Sequence, residues 1–274
     1  MTWVPDAPPT APRMGALHWV VALPRLVLAA VLIFGGLGSY LVLRQVERLF
    51  TGARRPVTSR LQQGVSRGTL AIMGLKVRRI GEPLHEGGVL VANHASWLDI
   101  FVLSAGQRLT FVAKSEVAGW PVIGWLARAT GTLFIRRDRK EAGAQVQQIG
   151  AAAARGELLL FFPEGTSTDG RRILPFKAPL FAAFLGPGLA EDLRLQPIAI
   201  RYSAPPGEEP RFYGWFGSQG FAPHFLAVLG RWRQGRVEVH YGAPIAVRDV
   251  PGRKALAAAA EASVREMFGE APGA

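Results

Sequence analysis

Two residues in the stretch GVLVANHASWLDIFVLS, positions 88 to 104, could carry acid–base chemistry: His94 and Asp99, an imidazole and a carboxylate five positions apart in an apolar run. An imidazole suits proton removal near neutral pH, and a carboxylate on one ring nitrogen fixes the tautomer and stabilises the imidazolium. The other nitrogen is then left to take a proton from a hydroxyl. On a regular helix, five residues subtend about 500° and leave the two side chains ~140° apart, out of reach. The pair therefore needs a junction, with His94 in a turn and Asp99 in the helix that follows. The letters supply one, because Val89 to Ala92 reads as a buried strand and the residues from Ser96 onward as a helix. A hydrogen-bonded junction histidine without chemistry fits the same letters, so the pair alone does not decide.

A second polar cluster follows another apolar strand. ELLLFFPEGTSTDGRRILPFKAPLF, residues 157 to 181, runs through Pro163 into a turn holding Glu164, Gly165, Thr166, Ser167 and Asp169, and then into Arg171, Arg172 and Lys177. Between the two clusters lies GTLFIRRDRK, residues 131 to 140, a strand that ends in Arg136, Arg137, Arg139 and Lys140. In an open α/β sheet, loops at the carboxyl ends of the strands form the ligand crevice. A base, a carboxylate and arginine forks can therefore converge from three strands. Planar arginine donors engage two oxygens of a phosphate or carboxylate at once.

The elements that must hold these groups show as alternation. Residues 75–80, 89–93, 109–113, 132–135, 157–162, 195–201 and 236–241 read as short apolar strands, and 95–105, 140–154 and 255–268 as helices. This pattern predicts an α/β domain with a mostly parallel central sheet flanked by helices. Residues 203–225, rich in Pro, Gly and aromatics, read as a loop excursion.

The N-terminal part is of another kind. Leu26 to Leu43 is an uncharged apolar run of 18 residues between Arg25 and Arg44, close to the ~20 needed to cross a hydrocarbon core. Ala16 to Leu23 is also mostly apolar and Pro24 separates the two, so the segment reads as a membrane helix or a membrane-embedded helical hairpin. Gly35, Gly36 and Gly38 mark either a bend or a packing face. No small-residue cleavage pattern follows, which argues against a signal peptide. Arg44, Arg48, Arg54, Arg55, Arg60 and Arg67 outnumber Arg13 and Arg25 on the other side, so a spanning segment would leave the rest of the chain in the cytoplasm. Val57, Leu61 and Val65 recur among those arginines, as in a helix on an anionic leaflet or an ordinary amphipathic helix. The expected organisation is a membrane-anchoring part, residues 1–68, and a catalytic domain, residues 69–274, at the cytoplasmic side of a bacterial-type inner membrane.

Composition narrows the chemistry. Formal net charge is +12, from 32 Lys and Arg against 20 Asp and Glu, which favours an anionic partner. With no cysteine, disulfides, thiolate zinc sites and Cys nucleophiles are excluded. The five histidines, at 18, 85, 94, 224 and 240, include no i, i+3 or i, i+4 pair, so no metal is expected.

NHASWLD at 93–99, GTLFIRR at 131–137, FPEGTS at 162–167 and LQPIAI at 195–200 resemble, in order and spacing, the four blocks of the PlsC-type glycerolipid acyltransferases, the lysophosphatidic acid acyltransferase family. KSEVAGWPVIG, residues 114–124, resembles that family's linker between the first two blocks. The resemblance implies a membrane-bound O-acyltransferase of lipid biosynthesis. It would move a fatty acyl group from an acyl carrier protein or coenzyme A thioester to the free hydroxyl of a lysolipid, with no further cofactor and no covalent enzyme intermediate. His94 is implied as the base and Asp99 as its support. Asn93, Ser96, Lys114, Arg136, Glu164, Gly165, Thr166, Arg171, Arg172 and Pro197 are implied on the substrate side, with Arg136 and Glu164–Gly165 at the acceptor headgroup and Pro197 shaping a pocket or acyl channel. Backbone amides at the His94 junction are candidates for stabilising the oxyanion, and the letters do not say which.

One position departs from the pattern. Many members that acylate phosphate-bearing acceptors have Arg directly after EGT, where this chain has Ser167. FPEGTSTDG followed by LPFKAPLF, with YGWFGSQGFAPHF at 213–225, resembles the branch that acylates lyso-ornithine lipid, whose headgroup is an amino acid. The acceptor is thus 1-acylglycerol-3-phosphate or lyso-ornithine lipid. A non-catalytic lipid-binding or membrane-scaffold protein on the same fold is the rival of another class. An α/β hydrolase lacks its G-x-S-x-G elbow here, and nucleic-acid binding lacks a recognisable module.

Overall fold

The computed structural model describes residues 14–85, 87–120, 123–135, 142–186 and 189–269, together with Trp3, Pro5 and Pro9. The chain opens with two helices, α1 (Ala16–Thr51) and α2 (Thr58–Met73). They run antiparallel at glycine distance: a Cβ on Gly36 would lie 2.5 Å from Val65 Cγ2, and one on Gly68 2.6 Å from Leu32 Cδ2. Gly36 is therefore a packing face and not a bend. At the far end, Glu47 accepts hydrogen bonds from the Val57 amide at 2.6 Å and the Thr58 hydroxyl at 2.5 Å, placing an anion at the start of α2 where the helix dipole favours one.

Pro24 does not divide α1, contrary to the sequence reading. The helix passes through it unbroken because both sides are held: His18 and Arg25 bond to backbone carbonyls near residue 229, and Ala29 is buried. The hairpin is made of α1 and α2, joined by residues 52–57, and residue 68, the expected division, falls inside α2. Ala22, Leu70 and Met73 share one hydrophobic cluster with the sheet residues Leu90 and Leu160.

The α/β part follows as β1 (Lys76–Ile80), β2 (Gly88–Ala92), α3 (Leu98–Gly106), β3 (Thr110–Lys114), α4 (Ile123–Ala129), β4 (Leu133–Ile135), α5 (Ala142–Ala154), β5 (Leu158–Phe161), β6 (Arg194–Ser203), α6 (Phe221–Leu229), β7 (Arg236–Tyr241), β8 (Ile245–Ala246) and α7 (Arg253–Phe268). The strand order is β1-β7-β6-β2-β5-β3-β4, with β8 beside β6. Every pairing is parallel except β6 with β7 and β6 with β8. Alternation along β2 sends Leu90 and Ala92 to a core shared with α2, α3 and α6, and Val89 and Val91 to a core shared with α5 and α7.

The strands match expectation to within one or two residues at each end. Three elements were not anticipated. Residues 221–229 lie partly in the expected loop, yet they form α6, since Pro223 stands in the first turn, where its missing N–H costs nothing. The second is α4, and the third is β8, two residues long. Helix α3 begins at Leu98, three residues later than expected, because residues 93–96 make the turn that the His94–Asp99 pair requires.

Candidate active site

His94 follows β2 directly, and Asp99 is the second residue of α3. The turn between them folds the ring back, so that Nδ1 lies 2.8 Å from Asp99 Oδ2. The same oxygen accepts the amides of Ala95 at 2.8 Å and Ser96 at 3.0 Å, and Oδ1 accepts the Tyr202 hydroxyl at 2.7 Å. Asp99 is thus fully buried with four donors around an acceptor-only group. Because Asp99 can only accept, Nδ1 carries the proton and Nε2 presents a lone pair. No hydrogen-bond partner meets Nε2 among the described residues. The ring stacks on Phe162 at 4.1 Å and remains 19% exposed.

The PEG turn after β5 is tied to this junction from both sides. Glu164 Oε1 accepts the His94 amide at 2.6 Å and Oε2 the Leu174 amide at 2.8 Å. Thr168 donates its amide to the His94 carbonyl at 2.9 Å. Lys177 Nζ donates to the Glu164 carbonyl at 2.7 Å, and Lys114 Nζ, from the end of β3, donates to the Gly165 carbonyl. Gly165 has φ +71°, and a Cβ there would sit 3.0 Å from Lys177 Nζ, so the turn requires glycine. Two ammonium groups therefore flank the turn beside the histidine.

Burial and the Asp99 charge push the Glu164 carboxyl up, while its two amide donors and Arg265 pull it down; burial wins, and the group titrates at about 8. The folded protein then holds a proton that the unfolded chain releases near its ordinary value of 4.5. Stability from this group is complete below 4.5 and is lost as pH rises toward 8. Glu164→Gln should therefore flatten the fall of unfolding free energy with pH across that window by up to about one proton, measured by denaturant titration at several pH values.

The other expected residues fall into distinct places. Asn93 is buried, and its amide bridges to β6, donating to the Ile200 carbonyl at 3.0 Å and accepting the Ile200 amide at 2.7 Å. It is a strut under His94. Pro197 is buried within β6, where the strand's partner changes from β8 to β7 and a missing N–H is tolerated. Ser96 is fully buried, its hydroxyl without a hydrogen-bond partner among the described residues. Arg171 is exposed. Arg172 pairs with Asp169 at 3.2 Å and lies over the Trp3 ring, and the Trp3 amide reaches the Thr166 hydroxyl at 3.4 Å. Arg136, with Arg137, Arg139 and Lys140, lies outside the described residues. Of the junction amides that were candidates for the oxyanion, those of Ala95 and Ser96 are taken by Asp99 and that of His94 by Glu164.

Sequence reasoning passed over Phe162, Lys177 as a clamp, Tyr202 and Trp215. Tyr202 lies one residue beyond the strand as read, and the alternation of β6 could have reached it. Burial and the neighbouring Asp99 charge raise its hydroxyl well above the usual range, so it remains a donor. Tyr202→Phe leaves Asp99 Oδ1 without its partner in the core and should cost ~1–3 kcal/mol, read from equilibrium unfolding. Trp215 donates its amide to the Ala95 carbonyl at 2.8 Å, and its own carbonyl accepts the Ser167 hydroxyl. Ser167 thus faces the 213–219 loop.

Residues 76–201, which carry the His94 junction, the PEG turn and most of β6, match the Acyltransferase family model. The fold is similar to the crystal structure of the 1-acyl-sn-glycerophosphate acyltransferase PlsC from Thermotoga maritima, with a TM-score of 0.61 over 92% of this chain and 95% of that one at 19% identity. The sequence is 50% identical over 266 residues to lyso-ornithine lipid O-acyltransferase of Rhodobacter capsulatus, covering 97% of this chain and 95% of that protein. It is 40% identical over 142 residues to 1-acyl-sn-glycerol-3-phosphate acyltransferase of Neisseria meningitidis, covering 50% and 54%. The chain belongs to the PlsC-type acyltransferase family and is a lysolipid acyltransferase of lipid biosynthesis.

Proposed function

We propose that the enzyme transfers a fatty acyl group from a pantetheine thioester, carried by acyl carrier protein or coenzyme A, to the free hydroxyl of lyso-ornithine lipid. His94 Nε2 takes the hydroxyl proton as the oxygen attacks the thioester carbonyl. The tetrahedral intermediate collapses by breaking the C–S bond, and the departing thiolate recovers the proton from the imidazolium. The amides of His94, Ala95 and Ser96 are engaged, and Lys114, which donates to the Gly165 carbonyl, brings a cation to the turn beside the histidine, where charge develops on the oxyanion. The observation that carries the mechanism is the open Nε2 beside a fully buried, four-fold bonded Asp99.

The choice of acceptor rests on Ser167. Its hydroxyl is directed to the Trp215 carbonyl, so this position offers no cation to a phosphate. The half-identical relative named for lyso-ornithine lipid supports the same choice. Purified enzyme offered labelled acyl donor with lyso-ornithine lipid and with lysophosphatidic acid should acylate the first; acceptance of the second alone would overturn it.

The catalytic domain works at the cytoplasmic face of a bacterial inner membrane, held there by α1. That helix is long and apolar enough to cross a bilayer, yet one face packs on the protein from His18 to Glu47 while Val20, Val27, Val31, Phe34, Val42 and Leu49 are exposed on the other. A helix so fastened along its length, ~54 Å, lies in the interface with its apolar face in the acyl region.

A further inference from the structure

Beyond α1, Met14 just before it and Val57 in the turn after it, the exposed large apolar residues among the described ones are Ile100, Trp120, Trp125 and Trp232. Trp120 packs on Trp215 at the site rim, with ring centroids 5.8 Å apart. The other two tryptophans serve no core and no site. Trp232 is 72% exposed and Trp125 45%. Each has an exposed arginine close in sequence, Arg233 beside the first and Arg128 one turn beyond the second on α4, whereas Arg231 is paired with Glu208 at 3.0 Å.

Their positions relate them to α1. The loop carrying Trp232 is bonded to the first turns of that helix: Arg25 donates to the carbonyls of Leu229 at 3.0 Å and Arg231 at 2.7 Å, and His18 Nε2 lies 3.0 Å from the Leu226 carbonyl. The helix bearing Trp125 is tied to the other end, where Arg55, just past α1, donates to the Thr130 carbonyl at 2.5 Å. Tryptophan partitions to the headgroup level of bilayers because its ring is apolar and its N–H needs a polar partner. Adjacent arginines add attraction to anionic lipid that decays within a Debye length.

We infer that Trp125 and Trp232 are interfacial anchors, one at each end of α1, which seat the enzyme on an anionic lipid surface and fix the helix parallel to it. The inference rests on the membrane role proposed for α1. It extends the lipid-contacting face beyond that helix onto the catalytic domain.

The chain contains no cysteine, so single reporters can be placed cleanly. Trp125→Cys, Trp232→Cys, Val31→Cys on the outer face of α1, and Arg248→Cys across the sheet beside α7 are compared. Each full-length protein is reconstituted on phosphatidylcholine vesicles containing phosphatidylglycerol and exposed to a membrane-impermeant maleimide. Relative to detergent solution, vesicles should slow labelling about tenfold or more at 31, 125 and 232 and leave 248 within about twofold. Protection at 31 with 125 or 232 as reactive as 248 overturns the inference and leaves the α1 reading intact. Reactivity at all four positions overturns both. Protection of 125 and 232 by soluble acyl carrier protein, and not by vesicles, would assign the surface to a protein and sink the lipid assignment.

Discussion

Asp99→Asn is expected to lower acyl transfer by ~10²- to 10⁴-fold while the protein still folds. The carboxylate accepts from His94 Nδ1, two backbone amides and the Tyr202 hydroxyl. Asparagine can keep its oxygen toward the first three and turn its amino group to the tyrosine oxygen, which also accepts. The geometry survives, and the charge that stabilises the imidazolium does not. Charge-assisted bonds become neutral ones in a fully buried place, which should cost ~1–3 kcal/mol of stability. Thermal unfolding reads the second effect and labelled acyl transfer the first. A variant that melts slightly early yet turns over at the wild-type rate would remove Asp99 from the mechanism.

His94→Ala is the other large effect, a loss of ~10²- to 10⁴-fold in turnover, the usual contribution of a positioned base. The side chain is partly exposed, and its backbone amide, which holds Glu164, is retained in alanine. Folding should therefore change little, so vesicle binding should match wild type while the rate falls, chiefly in kcat. A scaffold protein on this fold would show no such loss. Equal rates with equal vesicle binding would favour that rival.

Much of this was legible in the letters, because short apolar runs separated by helical patterns admit few architectures. The His94–Asp99 contact could be argued before any coordinates, since five residues cannot meet on a helix and can across a turn. What stayed hidden depends on tertiary pairing. Tyr202 reaches Asp99 only because β6 lies beside β2. Trp215 sits on the His94 turn only because its loop crosses from β6 to α6. Pro24 looked like a break because proline removes one helical hydrogen bond, a loss that contacts on either side of it offset. Asn93 and Pro197 fell in blocks that read as binding sequence, and their burial places them under the site. The amides expected to receive the oxyanion could not be assigned from sequence, because which of them the Asp99 carboxylate takes depends on how the turn folds.

The central claim is that Asp99 keeps the proton on His94 Nδ1 and leaves Nε2 as the base. Nitrogen-15 spectra of histidine-labelled enzyme on vesicles, with His94→Ala to assign the signal, read this directly. Neutral His94 should show a protonated Nδ1 and a bare Nε2; a neutral ring with its proton on Nε2 would contradict the mechanism.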